Sequence, residues 1–374
     1  MTTPLINTWS PERIARYRLI RAPEVGNRLL SRLFRKYDSI DAFLARTDAW
    51  RTEKLTDVQM ASIRESMQKS VDADFEILER EHIRFILATD EDFPKELLPI
   101  PDAPIAIFCR GSLPTSHPRL AIVGTRKMTS YGGQCTRAFA TALSRIGISI
   151  VSGLAFGVDM EAHQSALQAG MDGDTGHIAV LPGGIDDASI MPKTHLSLAR
   201  ETVDRGGCLI SEHAPGSPTP PYQYLHRNRL IAGLSRAVLV IEADQRSGAI
   251  TTAKLALEQG KDVLCVPGSI FSDVSRGTNQ LLKDGAIPCT EIEDILSALS
   301  FESLDHATKL LSTKRSFSTT DEEDRLLALF TEPRSVDDLV HLEARSAREI
   351  HRLIATLEMK GYLICDDGDV YRRV

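Results

Sequence analysis

The feature that most constrains the fold is an alternation, from Ile105 to Leu299, of short apolar runs with stretches of helical periodicity. Seven of these runs are candidates for buried strands: Leu120–Val123, Ile148–Val151, Ile178–Leu181, Cys208–Ile210, Ala237–Ile241, Val263–Val266 and Ala286–Pro288. Parallel strands that helices cover on both faces are apolar throughout, so the pattern predicts an α/β sheet. The predicted architecture for residues 90–299 is a doubly wound, mostly parallel, Rossmann-like core.

The segments outside this core have different patterns. Residues 1–89 are predicted to form a helical module that resembles SAM-like and helix-hairpin-helix units, whose hairpin amides can hold a phosphate. Four basic residues lie near this hairpin: Arg28, Arg32, Arg35 and Lys36. The alternatives to DNA contact by this module are a protein interaction and simple packing.

The C-terminal part predicts a linker and a small domain. Residues 300–320 are rich in Ser, Thr and Lys, which is typical of linkers. Residues 321–374 predict three helices and a hairpin turned at Asp367-Gly368, the order of a winged helix. The predicted recognition helix carries Arg345, Arg348 and Arg352, but the segment has 13 acids and 8 bases. This balance favours protein contact over tight DNA binding.

Composition limits the compartment and the kind of partner. A net charge of −7 means that any nucleic-acid site must be local. The six cysteines are scattered without a CxxC pair, which favours a reducing cytoplasm and argues against a zinc site. No signal-like N-terminus and no membrane-length apolar stretch is present in the sequence. We therefore expect a cytoplasmic protein with no metal, no cofactor and no membrane partner.

The loop after the first core strand carries a binding signal. It combines two cations and two hydroxyls with a glycine: Gly124, Thr125, Arg126, Lys127 and Thr129. The carboxyl ends of the strands form one edge of such a sheet, which we call the carboxyl edge. A helix N-terminus at this edge offers unpaired N–H groups to an anion. The loop therefore predicts a phosphate site, and the alternative is an ordinary turn with solvated charges.

Other glycine loops are predicted at the same edge. Gly153 and Gly157 bracket the loop after the second core strand, Pro182-Gly183-Gly184 follows the third, and Ser247-Gly248 opens a later helix. Asp159 and His163 stand four residues apart on one helix face, where they are either an acid–base pair or a helix cap and a core histidine. We favour the second interpretation and predict no catalytic residue.

The stretch from His213 to Ala253 is the most specific one in the chain. It places aromatic side chains beside polar and basic ones: Tyr222, Tyr224, Arg227, Asn228 and Arg229. Aromatic rings that stack on bases and guanidinium groups that hold phosphates are typical of single-strand recognition. We expect one of the two arginines to pair with Glu212 or Glu242 and the other to reach the ligand.

Taken together, these stretches resemble the DNA-processing protein A family (DprA, also called Smf). The resemblance runs from Ile105 to Glu293 through VGTRKMTSYG, SGLAFGVDMEAH, AVLPGGID, YLHRNRLIAGLS and VIEADQRSGAITTA. The chain departs from the family pattern in MPKTH, where YPxxN is usual, and at Leu225, where proline is usual. Helical SAM-like and winged-helix domains also flank the core in family members.

The resemblance implies a non-catalytic, dimeric protein that binds single-stranded DNA. Family members protect incoming strands and help to load RecA recombinase during natural transformation. Carried onto this chain, the resemblance implies that one group of residues grips a phosphate: Gly124, Thr125, Arg126 and Thr129. It implies that a second group lines the same groove: Gly153, Arg227, Asn228 and Gly248.

Two other classes of function are alternatives. One is a nucleotide-hydrolysing enzyme of the phosphoribohydrolase type, whose PGGxGTxxE signature is broken here because Pro182-Gly183-Gly184 is followed by IDDAS. The other is an interaction scaffold whose crevice binds no ligand.

Overall fold

The structure is a computed structural model of the 374-residue chain. The structure describes residues 9–37, 39–46, 49–114, 118–169, 176–299, 320–343, 345–359, 362–366 and 370–373. Contacts divide the chain into two compact units, Met1–Leu304 and Asp305–Val374, which are described separately. The predicted linker, except for Thr320, and the predicted turn at Asp367-Gly368 lie outside the described residues.

The first unit begins with helices. Within its described residues these are α1 (Pro11–Ile20), α2 (Asn27–Lys36), α3 (Ile40–Ala45), α4 (Ala49–Thr52), α5 (Asp57–Gln68) and α6 (Asp72–Arg80). Several of these helices have an N-cap residue whose hydroxyl accepts an N–H of the first turn. Thr56, the N-cap of α5, forms a capping box with Gln59. The Tyr17 ring of α1 lies 5.3 Å from the Phe85 ring of the first strand, so these helices share a core with the sheet.

A large sheet forms the centre of the first unit. Its strands are β1 (Ile83–Leu87), β2 (Ala106–Gly111), β3 (Arg119–Val123), β4 (Ser149–Ser152), β5 (Ile178–Val180), β6 (Cys208–Ser211), β7 (Ala237–Val240), β8 (Asp262–Cys265) and β9 (Ile287–Pro288). Their order is β1-β2-β6-β5-β4-β3-β7-β8-β9, with all neighbours parallel from β6 to β9. Among the described strands of this sheet, only β2 runs in the opposite direction, since it is antiparallel to β1 and β6. The seven predicted runs coincide with β3 to β9.

Helices cover both faces of this sheet. They are α7 (Ser130–Arg145), α8 (Val158–Ala169), α9 (Leu196–Asp204), α10 (Pro221–Leu234), α11 (Gly248–Glu258), α12 (Arg276–Lys283) and α13 (Ile292–Ala298). One apolar cluster joins Val123 and Val240 to Leu230 of α10, and another joins Leu209 to Leu167 of α8. The predicted α/β architecture with a mostly parallel sheet is therefore confirmed. Within the described residues no helix is both long and apolar enough to cross a bilayer.

The second unit has its own small core. Its described elements are α14 (Asp321–Ala328), β10 (Arg334–Ser335), α15 (Val336–Glu343), α16 (Ala347–Met359), β11 (Leu363–Asp366) and β12 (Val370–Arg373). The strands are antiparallel in the order β10-β12-β11. Leu326, Leu339, Ile350 and Leu357 pack together from the three helices.

Candidate nucleic-acid interface

The winding of the sheet changes direction between β3 and β7, which lie side by side. The chain continues from β3 through α7 to β4 on one side, and from β7 through α11 to β8 on the other. Ligands of open α/β sheets bind outside the carboxyl ends of the strands at such a point. The loops at residues 124–129 and 241–247 follow these two strands, so both border this crevice.

Glu242 occupies the crevice at the start of α7. Its carboxylate, only 2% exposed, accepts the Thr129 N–H at 2.8 Å and the Thr129 hydroxyl at 2.6 Å. The Thr129 hydroxyl in turn accepts the Gly132 N–H at 3.2 Å as the N-cap of α7. A carboxylate of the chain itself therefore accepts the N–H of the N-cap residue at the helix start where the sequence predicts a bound phosphate.

The base of the loop at residues 124–129 is fixed by close packing. The Thr125 N–H donates to the Glu242 carbonyl at 2.7 Å, and the Thr125 carbonyl accepts the Val158 N–H at 3.2 Å. A Cβ atom at Gly124 would lie 2.5 Å from Val158 Cγ2. Gly157 has φ +77°, and a Cβ atom there would lie 2.3 Å from the Thr125 carbonyl oxygen. These glycines let the loops after β3 and β4 pack together.

Arg126 and Lys127 are exposed on this fixed loop. The guanidinium carbon of Arg126 lies 5.0 Å from the centre of the half-buried Tyr224 ring, which is a cation–π distance. In the part of the chain that the structure describes, no carboxylate lies within 4.0 Å of either cation. The loop therefore presents two uncompensated positive charges beside an aromatic ring.

Arg227 is buried, with 5% of its surface exposed. Its Nη1 donates to the Gly153 carbonyl at 2.9 Å and also to the Val180 carbonyl, which joins the ends of β4 and β5. Its Nε donates to Asn228 Oδ1 at 3.2 Å. Burial lowers the pKa of Arg227 to about 10, a change that the nearby Asp159 carboxylate opposes. The guanidinium is thus held by the fold rather than presented to solvent.

The neighbouring residues of α10 are also used internally. Arg229 Nη2 donates to Glu212 Oε1 at 2.6 Å, so one of the two arginines forms the predicted pair with Glu212. Asn228 Nδ2 donates to the Gly248 carbonyl at 3.2 Å. Both Arg227 and Arg229 are buried, because the whole C-terminal part of α10, residues 227–234, lies inside the fold. Arg227 therefore does not reach the surface in this structure.

Asp159 and His163 have separate surroundings. Asp159 accepts the Gly153 and Ala155 N–H groups at 3.2 and 3.4 Å, and burial raises the pKa of its carboxyl. Burial, together with the nearby His177, lowers the pKa of His163 to about 3. With a pKa this low, His163 is a very weak base and a poor candidate for a general base at physiological pH.

Acid should unfold this core through its buried histidines. Burial lowers the pKa of His163 to about 3 and that of His177 to about 4, whereas both titrate near 6.5 when unfolded. As pH falls below 6.5 the unfolded state binds protons that the folded state excludes. Each histidine should then remove about 1.4 kcal/mol of unfolding free energy per pH unit. Urea unfolding between pH 7 and pH 5 measures the slope, which His163→Gln should reduce by about 1.4 kcal/mol per pH unit.

Sequence reasoning missed two residues of this edge. Glu242 was considered only as an ion-pair partner, although it binds the start of α7. Arg246, exposed in the loop after β7, was not considered at all. The position of Arg246 in the sequence could have indicated it. It lies between Glu242 and Ser247, the N-cap of α11, and therefore at the carboxyl edge.

The basic residues of the flanking segments are partly neutralised. Arg32 Nε lies 2.9 Å from Glu53 Oε2, and Lys36 pairs with the same buried carboxylate. In the second unit, Arg345 lies 3.6 Å from Glu322 and 3.5 Å from Glu343. The side chains of two further arginines on α16 are exposed: Arg348 and Arg352.

Comparisons with known proteins place the chain in a family. The family model of DNA recombination-mediator protein A matches residues 84–300. Protein Smf of Escherichia coli is 37% identical over 315 residues, which cover 82% of this chain and 81% of that protein. The crystal structure of DNA processing protein A from Streptococcus pneumoniae is 29% identical with a TM-score of 0.64, and covers 76% of this chain and 97% of that chain.

A second similar structure belongs to a protein for which a single-stranded DNA binding mode is described. It is DNA processing protein A from Helicobacter pylori, 30% identical with a TM-score of 0.51. The match covers 59% of this chain and 98% of that chain. The family model spans more than half of the sequence, and the Escherichia coli relative aligns along most of both chains. The chain therefore belongs to the DNA recombination-mediator protein A family, whose members include the DprA and Smf proteins.

Proposed function

We propose that this chain binds single-stranded DNA at the carboxyl edge of its large sheet. The observation that carries the proposal is the exposed Arg126 guanidinium 5.0 Å from the centre of the Tyr224 ring. A guanidinium pairs with a phosphate and a neighbouring ring stacks on a base, so the two side chains supply both contacts that a single strand needs. The binding mode described for the Helicobacter pylori protein supports this proposal.

The proposed site has contacting and supporting residues. Arg126 and Lys127 contact phosphates, and Tyr224 stacks on a base. The other predicted site residues shape the groove by fixing its loops and α10: Gly124, Thr125, Thr129, Gly153, Arg227, Asn228, Arg229 and Gly248. The supporting role follows from their backbone contacts and burial described above.

The proposed role is non-catalytic DNA processing in the cytoplasm. As a homodimer without a cofactor, the chain would protect incoming strands and help to load RecA recombinase during natural transformation, as its family resemblance implies. Two observations argue against the hydrolase alternative. His163 is fully buried with its pKa lowered to about 3, which makes it a poor general base, and Asp186, in the broken PGG segment, is 1% exposed and accepts the Gly216 N–H at 2.9 Å.

The proposed domain division keeps the core as the DNA-binding part. It consists of a SAM-like helical module (1–89), a Rossmann-like core (90–299), a linker (300–320) and a winged helix (321–374). Three helices with a three-stranded antiparallel sheet support the winged-helix assignment. The ion pairs of Arg32 and Lys36 with Glu53 favour a packing or protein-interaction role for the first module.

A titration tests the proposed function. The purified chain is titrated with a ~20-nucleotide single strand, the matching duplex, AMP and ATP, with analysis of products. The single strand should bind most tightly, its affinity should fall with salt, and no product should form. Equal affinity for the duplex, or steady hydrolysis that His163→Ala abolishes, would contradict the proposal.

A chain that ends at Thr320 should keep most of its affinity for the single strand. Residues 105–295 carry 17 bases and 18 acids, whereas residues 321–374 carry 13 acids and 8 bases, so the C-terminal segment repels phosphates on average. The salt dependence should also be retained, since the same phosphates are neutralised. Fluorescence anisotropy of a labelled strand measures both quantities. A hundredfold loss in a folded truncated chain would show that the core holds only part of the site.

A further inference from the structure

The loop between β8 and α12 exposes two adjacent apolar side chains. Phe271 is 90% exposed and Ile270 is 78% exposed, the highest values among the large apolar residues that the structure describes. Their neighbours in the chain are polar: Ser269, Ser272 and Asp273. Exposing a phenylalanine ring to water is unfavourable compared with burying it, so this position is a candidate for a function.

The conformation of this loop is fixed by hydrogen bonds. Asn279 of α12 binds Gly268 twice, through Nδ2 to the carbonyl at 3.0 Å and through Oδ1 from the N–H at 3.3 Å. The Phe271 N–H donates to Ser269 Oγ at 3.3 Å, and the Ser272 N–H donates to the Ser269 carbonyl at 3.1 Å. The exposed ring is therefore carried by a structured turn.

The loop is joined to the proposed DNA site. The hydroxyl of Tyr131, whose ring is 46% exposed at the start of α7, donates to the Pro267 carbonyl at 2.9 Å. The Gly277 N–H donates to the Ala243 carbonyl at 2.8 Å, which joins the loop to the segment after β7. Tyr131 comes four residues after Lys127 in the chain. The loop that carries Phe271 is therefore tied to the start of α7 and to the segment after β7, which both border the proposed site.

A nucleobase fits this feature better than a protein partner does. A stable protein interface buries about 800 Å² on each side, far more than two apolar side chains between polar neighbours can supply. A single exposed ring is instead sufficient to stack one base. An exposed cation, Arg246, lies on the adjoining segment after β7, where it can attract a phosphate of the same strand. Arg276 at the start of α12 is exposed too, but it pairs with Asp273 at 3.0 Å.

We propose that Phe271 is a second stacking platform, on which a base of the strand lies after it has passed Arg126, Tyr224 and Tyr131. This inference rests on the proposed function and extends the site across the ends of β3, β7 and β8. A single strand bound by the chain would then contact two aromatic platforms separated by a basic segment.

Four variants of the full chain test this inference. Phe271→Ala should weaken binding of a ~20-nucleotide single strand about tenfold without changing the salt dependence, because it removes stacking and no charge. Phe271→Leu should lose the same amount, since it keeps an apolar side chain but no ring. Ile270→Ala is the matched control and should bind as wild type. In Phe271→Trp, affinity should be kept and the new tryptophan fluorescence should be quenched by the strand.

The outcomes separate this inference from the proposed function. If Arg126→Ala weakens binding while Phe271→Ala binds as wild type, the site is real and the second platform is wrong. Full affinity in Phe271→Leu would also overturn the inference, because the ring would not be needed. A change of oligomeric state in Phe271→Ala, measured by light scattering, would show instead that the loop contacts another protein chain. If wild type binds no single strand, the proposed function itself fails.

Discussion

The Arg227→Ala variant is expected to lose about 3–5 kcal/mol of unfolding free energy, the range for breaking a buried charged network. The substitution removes the donors to the Gly153 and Val180 carbonyls at the ends of β4 and β5. It also leaves the buried Asp159 carboxylate without the positive charge that opposes the rise in its pKa. Urea unfolding of the full chain at neutral pH measures the loss.

Two comparisons make this expectation specific. Adding Asp159→Asn to Arg227→Ala should recover part of the stability, because no uncompensated buried charge then remains. Lys69→Ala, which removes an exposed ion pair with Glu65, should cost less than about 1 kcal/mol. Normal stability with lost DNA binding in Arg227→Ala would mean that Arg227 contacts the strand directly.

The Arg126→Ala variant is expected to weaken single-strand binding by about 1–3 kcal/mol, the value of a charge-assisted hydrogen bond to phosphate. Its unfolding free energy should hardly change, because the side chain is exposed and its described ring contact is with Tyr224 alone. The dependence of affinity on salt should also decrease by about one phosphate contact. Fluorescence anisotropy at two salt concentrations measures affinity and salt dependence together.

Arg145→Ala is the matched control for Arg126→Ala. Arg145 is also exposed, but it ends α7, which runs for 16 residues away from the carboxyl edge. A helix of that length spans about 24 Å, so the control removes the same charge far from the proposed site. Equal losses in the two variants would mean that general electrostatic attraction, rather than a site at Arg126, holds the strand.

The two arginine predictions show why the site could be located from the sequence but its contacts could not. The loop from Gly124 to Thr129 was identifiable because a buried strand ends abruptly in a glycine beside cations. The sequence does not indicate which cation is solvent-exposed. Arg126 is exposed and Arg227 is buried, although both are arginines beside aromatic residues. That difference is set by the tertiary structure, which buries residues 227–234 of α10 and leaves Arg126 in its loop at the surface.

The role of Glu242 was hidden for the same reason. The sequence indicated a helix start suited to an anion, and the helix start at Thr129 is present. However, residues 113 positions apart in the chain meet there, and the carboxylate of Glu242 accepts the Thr129 N–H at that helix start. Local sequence patterns contain no information on such a long-range contact.

By itself the sequence determined the α/β class, the strands β3 to β9 and the family. Continuous apolar runs are required of strands buried on both faces, and the glycine loops are required where those strands end against neighbouring loops. The tertiary structure decided which polar groups satisfy one another and which stay exposed. Burial removes water from a polar group and makes a partner within the fold necessary, and that partner is set by the order of strands in the sheet and the packing of helices on it.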